Sequence, residues 1–415
     1  MSGVDQSERF PWRRVAGAAF VPTAAFAIGE GAVIPYIPLI AGDLGASLAV
    51  AAVVAAMLTV GQLVGDVPGG SVVARFGERP TMIGAGLLVL VAIALAFFST
   101  EWWMLGAAIF VLGLGHAVFA LARHAFMTTY VPLRFRARAL STLGGIFRMG
   151  MFVGPLIGSA VLGLGFGLSA VWVICAIGTV VAIVVLIVLP DPSSAFERTP
   201  VTTGVIELRQ ERTGIRQVVR RNARVLATVG VGAAMLALAR QARNVLLPLW
   251  AVSIGLDGVT TGLVIGIAGG VDFALFFISG WVMDRFGRLW SVVPSLALMA
   301  ASFVLLAVSH DLDAAVMWFV VAAIVMALGN GLGSGILMTL GADLADPRNP
   351  APFLGAWRLT TDAGGATAPL LISLLISVAS IAWAAGGLAA LCVLGAGMLL
   401  RWLPRKPRDA GRGPH

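Results

Sequence analysis

Charge is what this sequence has least of. Only 12% of its 415 residues are charged, 59% are hydrophobic, and the mean hydropathy is +0.96. A soluble protein carries about twice that charge. Lysine is nearly absent: 27 of the 28 cationic residues are arginine, and Lys406 is the exception. The two cysteines, Cys175 and Cys392, lie inside apolar runs, where small core residues are the simplest reading. The four histidines, His116, His124, His310 and His415, form no cluster, and no metal-ligand spacing occurs, so neither metal nor cofactor is expected. No G-x-x-x-x-G-K-[ST] loop is present, which argues against an ATP-driven pump. A membrane enzyme would need a nucleophile–base pair, a metal cluster or a cofactor motif, and none is visible. The net charge of +8 would suggest a nucleic-acid partner in a soluble chain. In so apolar a chain it reflects loops on one side of a bilayer, and no nucleic acid is expected.

What the chain has in abundance is apolar length. Twelve runs read as membrane spans: 15–41, 48–74, 80–99, 103–129, 139–163, 168–190, 224–252, 258–283, 289–309, 315–342, 353–378 and 380–403. The first run follows Arg13-Arg14 and is too long for a signal-peptide core, so it reads as a span. Glycine is frequent, at 51 residues, as expected where membrane helices pack closely. The expected fold is an all-α membrane protein of twelve transmembrane helices in two six-helix bundles. The expected division is 1–190 and 224–403 for the bundles, 191–223 for a central loop and 404–415 for a tail. Residues 206–224 read either as a basic helix on the anionic leaflet or as a solvated connector.

Of the 28 cationic residues, 23 fall in the two tails and the loops between spans 2–3, 4–5, 6–7, 8–9 and 10–11; the opposite loops hold none. The positive-inside rule puts both termini and the central loop in the cytoplasm.

One short hairpin organises the rest. Gly280-Trp281-Val282-Met283-Asp284-Arg285-Phe286-Gly287-Arg288 joins two apolar runs. Gly280 is expected to let the helices approach closely, Asp284 to satisfy a helix N-terminus or pair with an arginine, and Arg285 and Arg288 to hold the turn inside. At an offset of 210 stands Gly70-Ser71-Val72-Val73-Ala74-Arg75-Phe76-Gly77-Glu78. The same offset pairs Pro38 with Pro248, Leu39 with Leu249, Gly45 with Gly255 and Arg148 with Arg358, without a gap. Two pseudo-symmetric, fused halves are the economical explanation.

The G-x-x-x-D-R-x-G-R pattern resembles the loop 2–3 and loop 8–9 signature of the major facilitator superfamily of secondary transporters. Ile34-Pro35-Tyr36-Ile37-Pro38 through Gly45-Ala46-Ser47 resembles the end of helix 1 in its twelve-span drug–proton antiporters. Gly150-x-x-x-Gly154-Pro155-x-x-Gly158-Ser159 resembles their helix 5 motif, whose small residues permit tight packing and whose proline bends the helix. The chain departs from the pattern at Ser141 and Ser159 in place of glycine, at Ala74 in place of the hairpin aspartate, and at Ile109 in place of an arginine before Gly113-Leu114-Gly115. Glu78 and Arg123 are the candidate substitutes.

Charge at span depth is costly and marks function by default. The candidates for proton coupling or the substrate cavity are Glu30, His116, Arg123, Arg148, Arg240, Arg243, Asn244, Asp272, Asn330 and Asp362. Asp66, on one face of helix 2 with Thr59 and Gln62, is a gate candidate. The resemblance places Glu30 at the substrate path, where a desolvated carboxylate can exchange a proton near neutrality; the alternative is a fixed pair with Arg240. His116 either titrates or packs. Arg240 and Arg243 either hold an anionic group or neutralise Glu30 and Asp272. Arg358 and Asp362, four apart, suit an in-helix salt bridge, and Asn330 and Ser334 share a face of helix 10.

The resemblance implies a monomeric secondary transporter of the plasma membrane, working by alternating access on a small-molecule substrate. Proton-coupled efflux of amphipathic compounds is one expectation. Uptake or exchange of a small anionic metabolite is the other.

Overall fold

The structure is a computed structural model that describes residues 16–131, 133–189, 219–346 and 351–403. Arg9, Arg13, Arg14, Arg348, the tail 404–415 and all but the end of the central loop lie outside the described residues.

The described chain folds into helices, with no strand among the described residues. In hydrocarbon every backbone N–H and C=O must be satisfied within the segment, and a helix does this for each residue in turn. The twelve spanning helices are α1 Val21–Asp43, α2 Leu48–Phe76, α3 Glu78–Phe97, α4 Trp102–Tyr130, α5 Leu133–Gly163 and α6 Ala170–Val188 in the first half. The second half holds α7 Ala223–Ser253, α8 Gly258–Phe286, α9 Leu289–Ser309, α10 Ala315–Leu344, α11 Ala351–Val378 and α12 Ile381–Trp402. All are long and apolar enough to cross a bilayer.

The repeat is written into local geometry. α2 and α8 begin and end at positions 210 apart. Each follows a side-chain cap, Ser47 Oγ accepting from Val50 N at 3.4 Å and Asp257 Oδ1 from Thr260 N at 2.8 Å. Each ends at a glycine with positive φ, +83° at Gly77 and +93° at Gly287, where the next helix starts almost at once. Only glycine adopts that backbone cheaply, so the hairpin turns on this one residue. The π-helical entries Ala16–Phe20 and Leu226–Gly230 also sit 210 apart.

Packing repeats in the same way. α1 lies against α5 and α6, α2 against α4, and α3 against α4 and α6; α7 to α12 reproduce each pairing. The halves meet along α5–α8 and α2–α11. The α5 glycines seat it on α1. A Cβ at Gly154 would lie 2.5 Å from Ile28 O, one at Gly150 would press on Ala27, and one at Gly158 would meet Tyr36. Pro155 is carried within α5, which runs from Leu133 to Gly163 and starts before the expected 139.

Two spans carry irregularities, and one expectation needs correction. The span 315–342 is not one continuous helix: it breaks between Leu332 and Ile336, at Gly335 with φ +78°. The first span carries a 3₁₀ segment, Ile34–Tyr36, around Pro35, whose missing N–H cannot continue the α pattern. Gly280 does not serve a close approach here, and neither does Gly70, because a Cβ at either would meet nothing within 4 Å.

Candidate functional site

A cavity of about 290 Å³ lies at mid-depth between the halves, walled by α1, α2, α4, α5, α7 and α8. Its polar lining comes from Glu30, Thr59, Gln62, His116, Arg148, Gln241, Arg243, Asn244 and Asp272. These residues sit on helices that are otherwise apolar.

Two charged clusters face each other across it. In the first half, Glu30 on α1 is buried, at 4% exposure, and its Oε2 lies 2.7 Å from His116 Nδ1 on α4. Neither atom has another polar partner. The imidazole is set among aromatic rings, edge-on to Phe147 and tilted against Phe26, which stacks on Phe119. Arg123, two turns along α4, is buried with its guanidinium 5.6 Å from the Phe147 ring. Its Nε has no hydrogen-bond partner. Ile109, at the position of the absent arginine, is fully buried. The pairing of Glu30 with Arg240 does not form: α7 turns Arg240 toward α10 instead.

The second cluster centres on Asp272 of α8, which is buried. Its Oδ2 meets Arg148 Nη1 of α5 at 3.1 Å and Arg243 Nη1 of α7 at 3.6 Å, and its Oδ1 accepts from Asn330 Nδ2 at 2.9 Å. Asn330 Oδ1 in turn accepts from Arg240 Nε at 2.8 Å, while Arg240 Nη1 reaches Gly333 O at 3.4 Å. The carbonyl of Gly333, at the break in α10, also accepts from Ile336 N at 3.3 Å. Arg148 also lies over the Phe276 ring at 5.0 Å. Arg148–Asp272 is an ion pair that joins the halves. Ser334, on the same stretch as Asn330, uses its carbonyl rather than its hydroxyl, accepting from Ser279 at 3.1 Å.

At the end away from the hairpins the halves are bridged. Ser159 Oγ donates to Val259 O at 2.6 Å, Ser373 Oγ to Ala49 O at 3.2 Å, and Gly262 packs under the Tyr36 hydroxyl, which itself points to Pro155 O at 3.4 Å. Ser159, a departure from the helix 5 pattern, is therefore a bridge between halves. A further bridge crosses the cavity wall, where Gln241 Nε2 donates to Thr59 Oγ1 at 2.9 Å. Gln241 was not singled out from sequence. Its one signal was a third polar side chain between Arg240 and Arg243 on an apolar helix.

At the hairpin end three ion pairs lie within the second half. Arg358 Nε and Asp362 Oδ2 of α11 pair at 3.3 Å and are exposed, so Asp362 lies away from the cavity lining. Asp66 is exposed too, within electrostatic reach of Asp362. In the second hairpin Arg288 Nε binds Asp343 Oδ2 at 2.8 Å, and Nη1 binds Met283 O at 3.0 Å and lies 3.4 Å from Asp284 Oδ1. The Asp343 hydrogen bond holds the Arg288 guanidinium above its ordinary value. In the first, where Ala74 replaces the aspartate, Glu78 Oε1 accepts from Thr129 Oγ1 at 2.9 Å on α4. Arg79 donates to Leu186 O, Ile187 O and Leu189 O at 2.6, 3.1 and 2.7 Å, capping α6. Arg75 and Arg285 lie over the neighbouring rings of Phe76 and Phe286. Among the described residues no group of acidic, histidine and cysteine side chains could hold a metal ion.

Comparison with known proteins agrees with this architecture. The Major Facilitator Superfamily profile matches residues 19–348 and, in a second match, 229–414. Multidrug resistance protein MdtH of Salmonella arizonae (strain ATCC BAA-731 / CDC346-86 / RSK2980) is 26% identical over 72% of this chain and 70% of its own length. The protein of the same name from Enterobacter sp. (strain 638) is 25% identical over the same shares. Among solved structures, a D-xylose–proton symporter superposes with a TM-score of 0.70 at 16% identity, covering 93% of this chain and 97% of its own. A peptide transporter POT, in complex with sulfate, gives 0.75 at 14% identity with 97% of each chain covered. At such identities the likeness to the two structures is one of fold alone. The profile match across nearly the whole chain carries more: this protein belongs to the Major Facilitator Superfamily, and is a multi-pass membrane transporter rather than an enzyme.

Proposed function

We propose that the protein is a proton-coupled exporter of small amphipathic compounds, working by alternating access in the plasma membrane. The observation that carries this reading is Glu30, a buried carboxylate on the wall of the central cavity with one partner, His116. A carboxylate in such a place can hold a proton while the site is empty and give it up as substrate arrives. The relatives named as multidrug resistance proteins support efflux.

The bundles 1–190 and 224–403 are the moving bodies, linked by 191–223. They rock about α5–α8 and α2–α11. The arginine-rich hairpin end faces the cytoplasm, with both termini on that side. Bridges at the far end and open space around Gly70 and Gly280 support reading the present arrangement as the inward-open state. The protein works as a monomer, since each chain holds a complete cavity. His116 positions the Glu30 carboxyl, Arg123 balances its charge, and Asp66, Asp284 and Arg288 hold the hairpin gate.

Inside-out vesicles with an imposed pH gradient test this. Adding a lipophilic compound that is carried should dissipate the gradient with the wild type and not with Glu30→Gln. A wild type that moves compounds without moving protons removes the coupling claim. Uptake or exchange of a small anionic metabolite is the second reading, favoured by the arginines around Asp272; it reverses the sign of proton movement.

A further inference from the structure

Two guanidinium groups, Arg148 and Arg243, face a single carboxylate, Asp272, and a third, Arg240, is linked to it through Asn330. The other cavity acid, Glu30, is engaged by His116, with Arg123 behind it. Arg240 finds an amide and a carbonyl, not an anion. Arg243 is the least satisfied of the three. Its Nη1 is buried, has no hydrogen-bond partner, and stands 3.6 Å from an Asp272 oxygen that Arg148 holds more closely. Arg243 lines the cavity beside Asn244 and Arg148.

We infer that the transported compounds carry an anionic group, a carboxylate or an equivalent oxyanion, which docks between Arg243 and Arg148 in place of Asp272. The inference rests on the transport reading above and narrows it. A cation entering this pocket adds to the positive charge of Arg148, Arg240 and Arg243, and a neutral compound leaves it standing. An oxyanion removes it, and the planar guanidinium fork matches two oxygens at once. The choice of arginines also couples binding to movement. Arg148 belongs to the first half and Asp272 to the second, so an anion that draws Arg148 away from Asp272 releases the ion pair that ties α5 to α8 at mid-depth. Asp272 is then the occupant that holds the site while no substrate is present.

The test uses the full chain in lipid nanodiscs and three radiolabelled probes of one ring system: an aryl carboxylate, its methyl ester and the trimethylammonium analogue. The wild type is expected to bind the carboxylate best. Arg243→Gln is expected to weaken the carboxylate by about tenfold or more and leave the ester unchanged, with Arg243→Lys in between. Asp272→Asn is expected to bind the carboxylate more tightly than the wild type, a gain that general damage does not produce. If Arg243→Gln fails to fold, Asp272→Asn decides alone: unchanged or weaker binding overturns the inference. It is also overturned if the ammonium probe binds best, or if Arg243→Gln leaves carboxylate affinity intact. Transport of the same probes in proteoliposomes separates the two levels. Movement of ester or ammonium without carboxylate removes the anion and keeps the exporter reading; movement of none removes the anion and counts against the exporter reading.

Discussion

Glu30 occupies the position that Arg240 occupies in the other half, 210 residues on, and Gln62 corresponds in the same way to Asp272. One repeat position thus carries opposite charge in the two halves, and each charge found its own partner within its half. That outcome was hidden in the sequence. Hydropathy shows that Glu30, His116 and Arg240 are at span depth, but the choice of partner depends on how each helix is rotated. Glu30 and His116 are brought together by the fit of α1 into the first bundle, with Phe26 and Phe147 walling the pair. Replacing His116 with Phe leaves a buried carboxylate without its partner. We expect a loss of about 1–3 kcal/mol in stability, and a double variant with Glu30→Gln that loses less than the sum of the two. Unfolding in detergent micelles measures both. A second residue-scale prediction concerns Asp257. Hydrogen bonds from Thr260 hold its carboxyl below the usual carboxylate range. Because the folded value is depressed, the stabilisation is present above the ordinary aspartate value and is lost as pH falls through the folded one. Asp257→Ala should cost about 1 kcal/mol at neutral pH, and the difference from wild type should vanish in strong acid.

At the scale of elements, most of the architecture was legible. Twelve apolar runs, the alternation of arginine between loops and the offset of 210 are signals read along one dimension, and helices with ends fixed by Gly77 and Gly287 obey them. The break in α10 was less so. Alternate glycines at Gly329, Gly331, Gly333 and Gly335 weaken the helix, but apolarity alone reads straight through them. Glycines of similar appearance in sequence also divide sharply in structure. Gly154 lies against the backbone of α1, so Gly154→Leu should overpack that seam and cost at least about 1–3 kcal/mol, read as a lower unfolding midpoint. Gly280 has open space around it. Gly280→Leu should leave the midpoint unchanged and slow transport, because the hairpin glycine is needed when that end closes. A large drop in midpoint for Gly280→Leu would place its role in the present state instead.

At the scale of the whole molecule, the cross-half contacts are distributed unevenly. Ser159–Val259, Ser373–Ala49 and Gln241–Thr59 bind the far end and the cavity wall, Arg148–Asp272 binds mid-depth, and Arg288–Asp284, Arg288–Asp343 and Arg358–Asp362 lie within the second half at the hairpin end. On the proposed alternating-access reading, such a molecule would open on the far side by exchanging these polar bridges for new ones between the hairpins, with each six-helix bundle keeping its interior packing. Ser159→Ala removes one bridge without disturbing α5 against α1. It should raise the share of molecules open on the far side, seen as greater reactivity of a cysteine placed at Tyr36.

The central claim is that protonation of Glu30 drives this exchange, and paired spin labels test it most directly. One pair, at Ser71 and Trp281, spans the hairpin end; the other, at Leu164 and Val378, spans the far end, and all four sites are exposed. Distances are measured in lipid at acid and alkaline pH, in the wild type and in Glu30→Gln. The account predicts that pH moves the two distances in opposite directions in the wild type and moves neither in Glu30→Gln. Distances that shift together, or that respond to pH equally without the carboxylate, would contradict it.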